Sequence, residues 1–474
     1  MPIPWDSSGP RVLLINPPWL RRKGNVWREV GSCSPPIGLA CLAADLERHD
    51  VAVRILDLDA ERMLPDQIPR WLSTIAPPDF VGLSVNTGTI FGATAVSHNL
   101  RQALPRTKII MGGVHPTVLT NDVLEQRLAD YAVRGEGEIT LRELALGAAP
   151  ESVTGLSWTG EDGGIRHNPD RRELLDMKEL PLPAYHLLPI ARYRPAVGSY
   201  RRLPALSVVV SRGCPWRCTF CYGSMLGTRY RFLPADRILE ELTLLKTRYG
   251  IREISFYDDT FTAHPEIGQL CQALIRQRME LTWSCFARAD TVDQELLRLM
   301  KRAGCHQVMF GLESADERVL AAIDKRVSPA GVETAVRQAR KAGLEVRVAV
   351  MFGSPEETAD SLELTARTLE RLNPDIIIAN ITTPYPGTAM HAWAKQQGVL
   401  RTENWEEYDL ARCVMELPTV STDLIERYYR EIYRRFYFRP RYLWHRLTGL
   451  RSWSDIQRNA RSFLAVWALR GGGR

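Results

Sequence analysis

The segment Cys214-Pro-Trp-Arg-Cys218-Thr-Phe-Cys221 decides how the rest of this 474-residue chain is interpreted. Its three thiols lie four and then three residues apart, directly after the apolar run Leu206–Val210 and a turn at residues 211–213. A loop with this spacing can direct three sulfurs towards one centre. A zinc site normally closes with four ligands, and the sequence offers no fourth Cys or His nearby. An iron–sulfur cluster accepts one cysteine at each iron, so three cysteines leave one iron open to a small chelating ligand.

After Cys221, helical and strand-like segments alternate along the chain. Five apolar runs typical of buried strands follow the cysteine segment, and polar residues or glycines stand where they end, among them Asp258, Arg288, Glu313 and Gly353. Counting the strand before Cys214, six strand–helix repeats predict a partial parallel (β/α)6 barrel. In such barrels the polar residues gather at the mouth formed by the carboxyl ends of the strands.

The first third of the chain also alternates apolar strands with helices, which predicts a doubly wound, Rossmann-like α/β domain. Ligands of such sheets bind at the carboxyl ends of the strands. Polar residues and glycines fall at three of these ends, in the segments Asn86-Thr87-Gly88, Gly112-Gly113-Val-His115 and Gly135-Glu136-Gly137. None of them forms the GxGxxG pattern, so the sequence does not predict a dinucleotide site.

The sequence therefore predicts four parts. They are the α/β domain at 1–150, a linker with a small hairpin at 151–200, the partial barrel at 201–410 and a helical C-terminal region at 411–474. The last region is dense in Tyr, Phe, Trp and Arg. We favour its interpretation as a helical cap packed on the barrel. The alternative is a basic amphipathic surface that makes peripheral contact with an anionic membrane or an apolar, acidic substrate.

The cysteine motif, with the aromatic Phe220 before its last Cys, resembles the signature of the radical S-adenosylmethionine (SAM) enzymes. The segments Pro35-Pro-Ile-Gly-Leu, Gly112-Gly-Val-His-Pro-Thr and Arg134-Gly-Glu-Gly-Glu precede it in an order that resembles the cobalamin-binding subfamily. This resemblance covers most of residues 10–410. It implies that the three cysteines hold a 4Fe–4S cluster, that SAM chelates the fourth iron, and that the N-terminal domain binds cobalamin. A zinc or redox CxxC site and an empty α/β domain are the alternatives.

The resemblance also implies contacts for SAM. Asp258 meets the amino group, Arg288 pairs with the carboxylate, and Phe220 flanks the adenine. Glu313 and Ser314 lie near the ribose and methionine, and Gly353 lets the adenine pass close to the backbone. The alternative for Asp258, Arg288 and Glu313 is a surface charge or a salt bridge at the barrel mouth.

For cobalamin, the implied contacts are the residues at the three N-terminal strand ends: Asn86, Thr87, Gly112, Gly113, His115, Glu136 and Gly137. Many cobalamin proteins supply a lower-axial His from a DxHxxG motif, but the comparable strand end here, Asp57-Leu-Asp59-Ala-Glu-Arg, has no His. We therefore expect base-off cobalamin without a protein His as lower ligand. His115 either contacts the corrin or is a turn residue at a helix start.

The function implied is a radical SAM enzyme that cleaves SAM to a 5′-deoxyadenosyl radical. It would use methylcobalamin to methylate an unactivated carbon of a small molecule, such as a natural product, tetrapyrrole or lipid-like compound. One alternative is an oxidative, ring-forming cyclase without methyl transfer, and another is a non-catalytic cobalamin or SAM sensor. A methylthiotransferase is disfavoured because its additional N-terminal cysteine triad is missing. The residues do not identify a catalytic side chain.

Composition bears on nucleic-acid binding, cellular location and membrane insertion. A net charge of +6 is too small to predict nucleic-acid binding. Nine cysteines, three of them in one loop, favour a reducing, cytoplasmic location. No run of 18 apolar residues predicts a membrane span. We expect a small-molecule substrate and an electron donor such as flavodoxin or ferredoxin as partners.

Overall fold

The computed structural model describes residues 5, 9–20, 32–196, 198–224 and 229–448. These residues fall into two compact units. The N-terminal unit comprises the described residues up to Leu20 together with Pro35–Tyr193, and the barrel unit comprises residues 32–34 and those from Arg194 onward. Over the described ranges, no helix combines the length and apolar character needed to cross a membrane.

Within the described residues, the N-terminal unit is built on a seven-stranded sheet. Its strands are β1 (Arg11–Asn16), β2 (Ala52–Asp57), β3 (Phe80–Ser84), β4 (Lys108–Gly112), β5 (Tyr131–Val133), β6 (Leu156–Thr159) and β7 (Ile165–His167). They lie in the order β2-β1-β3-β4-β5-β6-β7, and β1 to β5 are parallel. Such a sheet has its topological switch point between β1 and β3, where open α/β sheets bind ligands outside the carboxyl ends of their strands. The predicted α/β class is confirmed.

Helices pack on this sheet because its central strands are apolar on both faces, as in β1, where Val12 to Ile15 are fully buried. The helices are α1 (Ile37–Glu47), α2 (Leu58–Glu61), α3 (Ile68–Leu72), α4 (Ile90–Ala103), α5 (Val114–Val118), α6 (Thr120–Glu125) and α7 (Glu138–Ala145). The sequence predicts one helix at 121–129. The structure instead has α5 and α6, which meet at Leu119.

The hairpin predicted in the 151–200 linker is part of the sheet. Strand β6 pairs antiparallel with β5, and β7 pairs antiparallel with β6. The N-terminal unit consequently extends to Tyr193 instead of ending at the predicted boundary of residue 150.

The barrel unit is confirmed as a partial parallel barrel. Its strands are β8 (Ala205–Val208), β9 (Ser211–Arg212), β10 (Arg231–Phe232), β11 (Glu253–Phe256), β12 (Thr282–Ala287), β13 (Cys305–Glu313), β14 (Glu345–Phe352) and β15 (Ile376–Ile381). In the part of the unit that the structure describes, six of them form one sheet in the order β15-β14-β13-β12-β11-β8, with every pair parallel. Strands β9 and β10 form a separate antiparallel pair.

Side chains alternate along these strands. In β14 the residues Val346, Val348, Val350 and Phe352 are fully buried, whereas the residues between them are partly accessible. The helices of the unit are α8 (Ala235–Tyr249), α9 (Ile267–Arg276), α10 (Gln294–Arg302), α11 (Glu317–Ala322), α12 (Pro329–Lys341), α13 (Ala359–Leu372), α14 (Ala389–Gln396), α15 (Thr422–Tyr437) and α16 (Pro440–Thr448).

Helix α15 covers the end strand β15 with two tyrosines. The Tyr433 hydroxyl accepts from the Ala379 N–H at 3.0 Å and donates to the Ala379 carbonyl at 3.1 Å. The Tyr437 hydroxyl bonds both backbone groups of Ile377 in the same way, at 3.0 and 3.4 Å. The spacing of the two tyrosines along α15 matches that of Ile377 and Ala379 along β15, because four residues of helix and two residues of strand both rise about 6 Å. Up to residue 448 the C-terminal region is thus a cap on the barrel, and its predicted continuation lies outside the described residues.

Candidate functional site

The cysteine loop is fixed by backbone hydrogen bonds to its neighbours. The Thr219 N–H donates to the carbonyl of Ile323, just after α11, at 3.0 Å. The Met390 N–H, in α14, donates to the Thr219 carbonyl at 2.9 Å. Because both bonds use the middle of the loop, the cysteines on either side of Thr219 are held relative to the barrel by its main chain.

The thiols of this loop lie close together. A Cβ added at Gly223 would lie 3.3 Å from Cys214 Cβ and 3.6 Å from Cys221 Sγ, so the chain passes tightly between these two cysteines. Across the described ranges, no three His, Cys, Asp or Glu side chains converge on the position of a single metal ion. An iron–sulfur cluster does not require such convergence, because each cysteine binds its own iron. The loop therefore fits the cluster that the sequence predicted.

The surroundings of the thiols act on their ionisation. Burial raises the pKa of Cys218, and the positive charges of Lys325 and Arg288 oppose that rise. Burial also raises the pKa of Cys221 to about 11, opposed by a hydrogen bond from the Gly223 N–H. Metal binding requires thiolates, so the two cations and the amide favour the form that binds iron.

Arg288 lies directly against the cysteine loop. Its guanidinium stacks over the ring of Trp216 at 4.4 Å, and its Nε donates to the Asp290 carboxylate at 2.9 and 3.1 Å. Its Nη2 donates to the Arg326 carbonyl at 3.1 Å. The side chain is therefore fixed by protein groups, while Nη1 donates no hydrogen bond in the described part of the chain.

Glu313 pairs with Lys325, a residue that sequence reasoning missed. The Lys325 ammonium lies 2.9 Å from the Glu313 carboxylate, and the two side chains are only 12% and 10% exposed. Glu313 has a φ of 60° at the point where β13 shifts register against β14. The carboxylate also lies against the backbone of Gly311, where a side chain would collide with it. Lys325 stands in the turn after α11, where no periodic pattern distinguishes it.

Asp258 is buried at the end of β11, with 1% of its surface exposed. Its Oδ1 accepts from the Val210 N–H at 2.9 Å and from the Ser211 hydroxyl at 2.5 Å. Its Oδ2 has no hydrogen-bond partner among the described residues. Burial raises the pKa of Asp258 to about 6. One oxygen thus holds the β8–β9 bend, and the other is left for a donor outside the described residues.

Three further SAM residues have protein neighbours. Phe220 packs on an apolar cluster that includes Ile323 and Met390. The Ser314 hydroxyl accepts from the Asp316 N–H at 3.1 Å, and the residue is 1% exposed. The contact of Gly353 with adenine stays a prediction. On the side where a Cβ would project, Gly353 adjoins α15, because that atom would lie 3.2 Å from Ile425.

In the N-terminal unit, the predicted cobalamin residues lie at the carboxyl ends of β3, β4 and β5. The Val85 N–H donates to the Gly112 carbonyl at 2.8 Å, and the His115 N–H donates to the Val85 carbonyl at 3.1 Å. Gly113 has a φ of 101°, and a Cβ there would lie 2.7 Å from the Val85 carbonyl oxygen. Only glycine fits this close crossing of backbones. The structure thus brings the first two predicted segments together.

The third segment joins them through Thr117, whose hydroxyl accepts from the Gly135 N–H at 3.0 Å. Gly137 precedes α7, and Glu136 is partly exposed. Arg134 has a structural role, because its Nε donates to Asp170 at 2.9 Å and its Nη1 donates to the Leu156 carbonyl at 3.2 Å. It thereby attaches the end of β5 to the hairpin.

His115 is covered and neutral. Only 2% of the residue is exposed, its Nδ1 lies 3.3 Å from the Thr87 hydroxyl, and burial lowers its pKa to about 4. Asn86 is exposed and caps the turn 87–89 by accepting from the Thr89 N–H at 3.1 Å. The edge therefore presents glycines, backbone groups, neutral polar side chains and the carboxylate of Glu136, which fit a large ligand held without an imidazole.

The strand end without a histidine is also occupied by protein. Asp57 is 1% exposed, and its carboxylate accepts from Asn16 Nδ2 and from the Tyr193 hydroxyl, each at 2.9 Å. The same carboxylate caps α2 through the N–H groups of Asp59 and Ala60. This loop serves the fold of the N-terminal unit.

A three-cysteine loop beside the mouth of a parallel partial barrel defines the class of the radical SAM enzymes. Comparison with known proteins agrees. The Radical SAM superfamily profile matches residues 208–369, and the B12 binding domain profile matches residues 26–145. An uncharacterized methyltransferase of Pyrococcus horikoshii is 35% identical over 441 residues, which cover 91% of this chain and 94% of that protein. The chain belongs to the B12-binding radical SAM enzymes, with a 4Fe–4S cluster, SAM and cobalamin as cofactors.

Two further relatives show the range of this family. The anaerobic magnesium-protoporphyrin IX monomethyl ester cyclase of Rubrivivax gelatinosus is 24% identical over 92% of this chain and 79% of its own length. The solved structure of the radical SAM methyltransferase TsrM from Kitasatospora setae, with cobalamin and a [4Fe-4S] cluster bound, has a TM-score of 0.66 at 20% identity. The match covers 97% of this chain and 89% of that one. The likeness to TsrM shows the shared fold.

Proposed function

We propose that this enzyme methylates an unactivated carbon of a small molecule. When bound, the cluster and SAM supply a 5′-deoxyadenosyl radical, and cobalamin supplies a methyl carrier. The observation that carries the proposal is the arrangement around Cys218. A buried thiol, the guanidinium of Arg288 and the ammonium of Lys325 act on one another at the mouth of the partial barrel.

The residues of the barrel mouth have distinct proposed roles. Cys214, Cys218 and Cys221 hold the cluster. Two atoms without a hydrogen-bond partner among the described residues suit SAM: Oδ2 of Asp258 its ammonium, and Nη1 of Arg288 its carboxylate. Lys325 holds the Glu313 carboxylate in place and adds positive charge beside a cluster that carries negative thiolates.

We propose base-off cobalamin without a histidine ligand in the N-terminal unit. His115 is enclosed and bonded to Thr87, and the strand end at Asp57 carries no histidine. Backbone contacts from Gly112, Gly113 and Gly137 would line the edge, together with the polar side chains of Asn86, Thr87 and Glu136.

Methyl transfer is favoured over ring closure by the relatives. The protein at 35% identity carries the name of a methyltransferase, whereas the cyclase is 24% identical. The radical reaction also needs an electron from outside, for which we propose a donor such as flavodoxin or ferredoxin.

The test is anaerobic incubation of the reconstituted enzyme with SAM, cobalamin and dithionite, followed by mass spectrometry of the small molecules. We expect 5′-deoxyadenosine and S-adenosylhomocysteine from the wild type, and no 5′-deoxyadenosine from Cys218→Ala. The variant Cys413→Ala, which changes a buried cysteine far along the chain from the motif, is the matched control. Formation of 5′-deoxyadenosine alone would support ring closure, and formation of neither product would support the sensor.

A further inference from the structure

At the amino ends of the barrel strands, here called the floor of the barrel, the carboxylates of Glu253 and Glu345 are bound by neighbouring residues. Glu253 accepts from the backbone N–H groups of Arg201 and Arg202 at 2.7 to 2.9 Å and lies 2.8 Å from His306 Nε2. Glu345, at the start of β14, pairs with Arg201 Nη2 at 2.8 Å and accepts from Gln307 Nε2 at 3.3 Å. Both carboxylates of the floor are therefore satisfied.

Arg347, two residues further along β14, is the exception. It lies on the same face as Glu345, in the partly accessible half of the alternating pattern. Its Nε is covered without a partner, and over the described ranges its guanidinium makes no hydrogen bond and no ion pair. The only carboxylate of β14, that of Glu345, is held by other residues.

Arg347 lies on the concave inner face of the partial barrel. Its charge acts on Tyr257, which follows β11 three strands away, and on Tyr437 of α15 at the other side. Burial lowers the pKa of Arg347, but an arginine side chain in a protein keeps its charge at neutral pH. Among the described residues, two phenols and no anion therefore act on this permanent cation inside the barrel.

The residues in register with Arg347 on the two adjacent strands are apolar. Met309 of β13 and Ile376 of β15 stand opposite it in register. Phe286 stands opposite Met309, and its ring packs against that of Tyr257 with centroids 5.3 Å apart. A ligand reaching Arg347 would thus contact aromatic and aliphatic surface on both sides.

A cation without a counter-charge in such surroundings is costly for the folded protein. Its planar guanidinium is suited to bidentate pairing with a carboxylate or a phosphate. We infer that Arg347 binds an anionic group on an otherwise apolar substrate, and so selects substrates that carry a carboxylate or a phosphate ester. This inference rests on the proposed function, because it assigns the substrate to the interior of the barrel.

Equilibrium dialysis of the reconstituted holoenzyme without reductant tests this assignment. The probes are 2-naphthoate, 2-naphthyl phosphate and uncharged 2-naphthamide, which share one apolar body. We expect the wild type to bind at least one anion about tenfold more tightly than the amide. Arg347→Met should lose that preference, and Arg347→Lys should keep part of it. Arg367→Met, which changes a 71%-exposed arginine on α13, should behave as the wild type.

Either of two results would overturn the inference. One is equal binding of the three probes by the wild type, including a failure of all three to bind. The other is an anion preference that persists in Arg347→Met. The anion that binds more tightly distinguishes a carboxylate from a phosphate substrate.

The thermal unfolding of the ligand-free variants gives a second measurement. If Arg347 serves only the fold, Arg347→Met should have a lower unfolding midpoint than the wild type. If Arg347 serves to bind a ligand, the midpoint of Arg347→Met should be unchanged or raised by about 2 °C. Neither measurement depends on turnover. A failure of the proposed function appears instead as missing 5′-deoxyadenosine in the wild type.

Discussion

The pair formed by Glu313 and Lys325 places two opposite charges beside Cys218 in largely buried surroundings. Lys325→Met removes the partner of a carboxylate whose backbone is already in the left-handed region at φ 60°. We expect a loss of about 3 kcal/mol in unfolding free energy, because an uncompensated charge remains buried. Denaturant unfolding measures it.

The control for this pair is the double variant Lys325→Met with Glu313→Gln, which removes both charges. It should recover most of the loss, since no buried carboxylate is left without a partner. Additive losses in the double variant would mean that the two residues act independently, contrary to this account.

Gly113 is required by the backbone crossing at the N-terminal edge. Gly113→Ala would place a Cβ 2.7 Å from the Val85 carbonyl oxygen at a φ of 101°. We expect a loss of at least about 1 kcal/mol in stability and weaker retention of cobalamin on gel filtration. Gly268→Ala, in α9 of the barrel unit, is the control, because a Cβ there meets nothing within 4 Å. Equal cobalamin retention by both variants would contradict the role given to this edge.

Asp258 gives a pH dependence of known sign. Its pKa is raised from the ordinary value of about 3.9 to about 6, so the folded state takes up the proton more readily than the unfolded state. The stability that this group contributes is complete below about pH 4 and is lost as the pH rises through 6. Asp258→Asn stays neutral throughout, so its melting temperature relative to the wild type should rise between pH 5 and pH 8.

Between pH 5 and pH 8 the size of that change should correspond to about 1.4 kcal/mol, because part of the effect is already complete at pH 5. Saturating SAM should reduce it, if the SAM ammonium pairs with Asp258 as proposed. A difference between variant and wild type that is constant across this pH range would show that Asp258 is already ionised at pH 5 in the folded enzyme.

At the scale of elements, the end strand β15 depends on the tyrosines of α15. Tyr433→Phe leaves the N–H and carbonyl of Ala379 without partners, and Tyr437→Phe does so for Ile377. Each change should cost about 1–3 kcal/mol, the penalty for an unsatisfied buried polar group. Tyr428→Phe should cost less, because its hydroxyl bonds the partly exposed carboxylate of Glu363, which keeps its hydrogen bonds from Arg367 and Arg435. Hydrogen exchange at Ala379 would locate the effect.

The elements that sequence predicted best are those with strong periodicity. Regular apolar spacing and flanking turn residues predict helices at 90–103 and 235–249, and these are the bounds of α4 and α8 in the structure. The cysteine loop and the strand ends near Asp258, Arg288 and Glu313 followed from the same alternation.

The parts that sequence missed depend on contacts between distant residues. Ile425 lies 72 residues after Gly353 and fills the space beside it, which no local pattern reveals. Lys325 lies in a turn, so its approach to Glu313 follows only from the fold. Arg347 resembles any charged residue of a strand until the partners of its neighbours Glu345 and Gln307 are known.

At the scale of the molecule, one chain carries two units, and each contributes a different part of the proposed chemistry. The barrel unit carries the cysteine loop and the cations beside it, and the N-terminal unit carries a glycine-rich edge matched to the B12 binding domain. Methyl transfer requires both, because SAM then serves as the source of the radical and as the donor of the methyl group to cobalamin.

The most direct test is anaerobic incubation of the cobalamin-loaded enzyme with SAM that carries a trideuterated methyl group, followed by mass spectrometry of the corrin. The account predicts trideuteromethyl-cobalamin and an equal amount of S-adenosylhomocysteine. The Cys218→Ala and Gly113→Ala variants would separate the contributions of the two units. Cobalamin that remains bound but never acquires the label, while the enzyme still produces 5′-deoxyadenosine, would contradict the methyltransferase assignment.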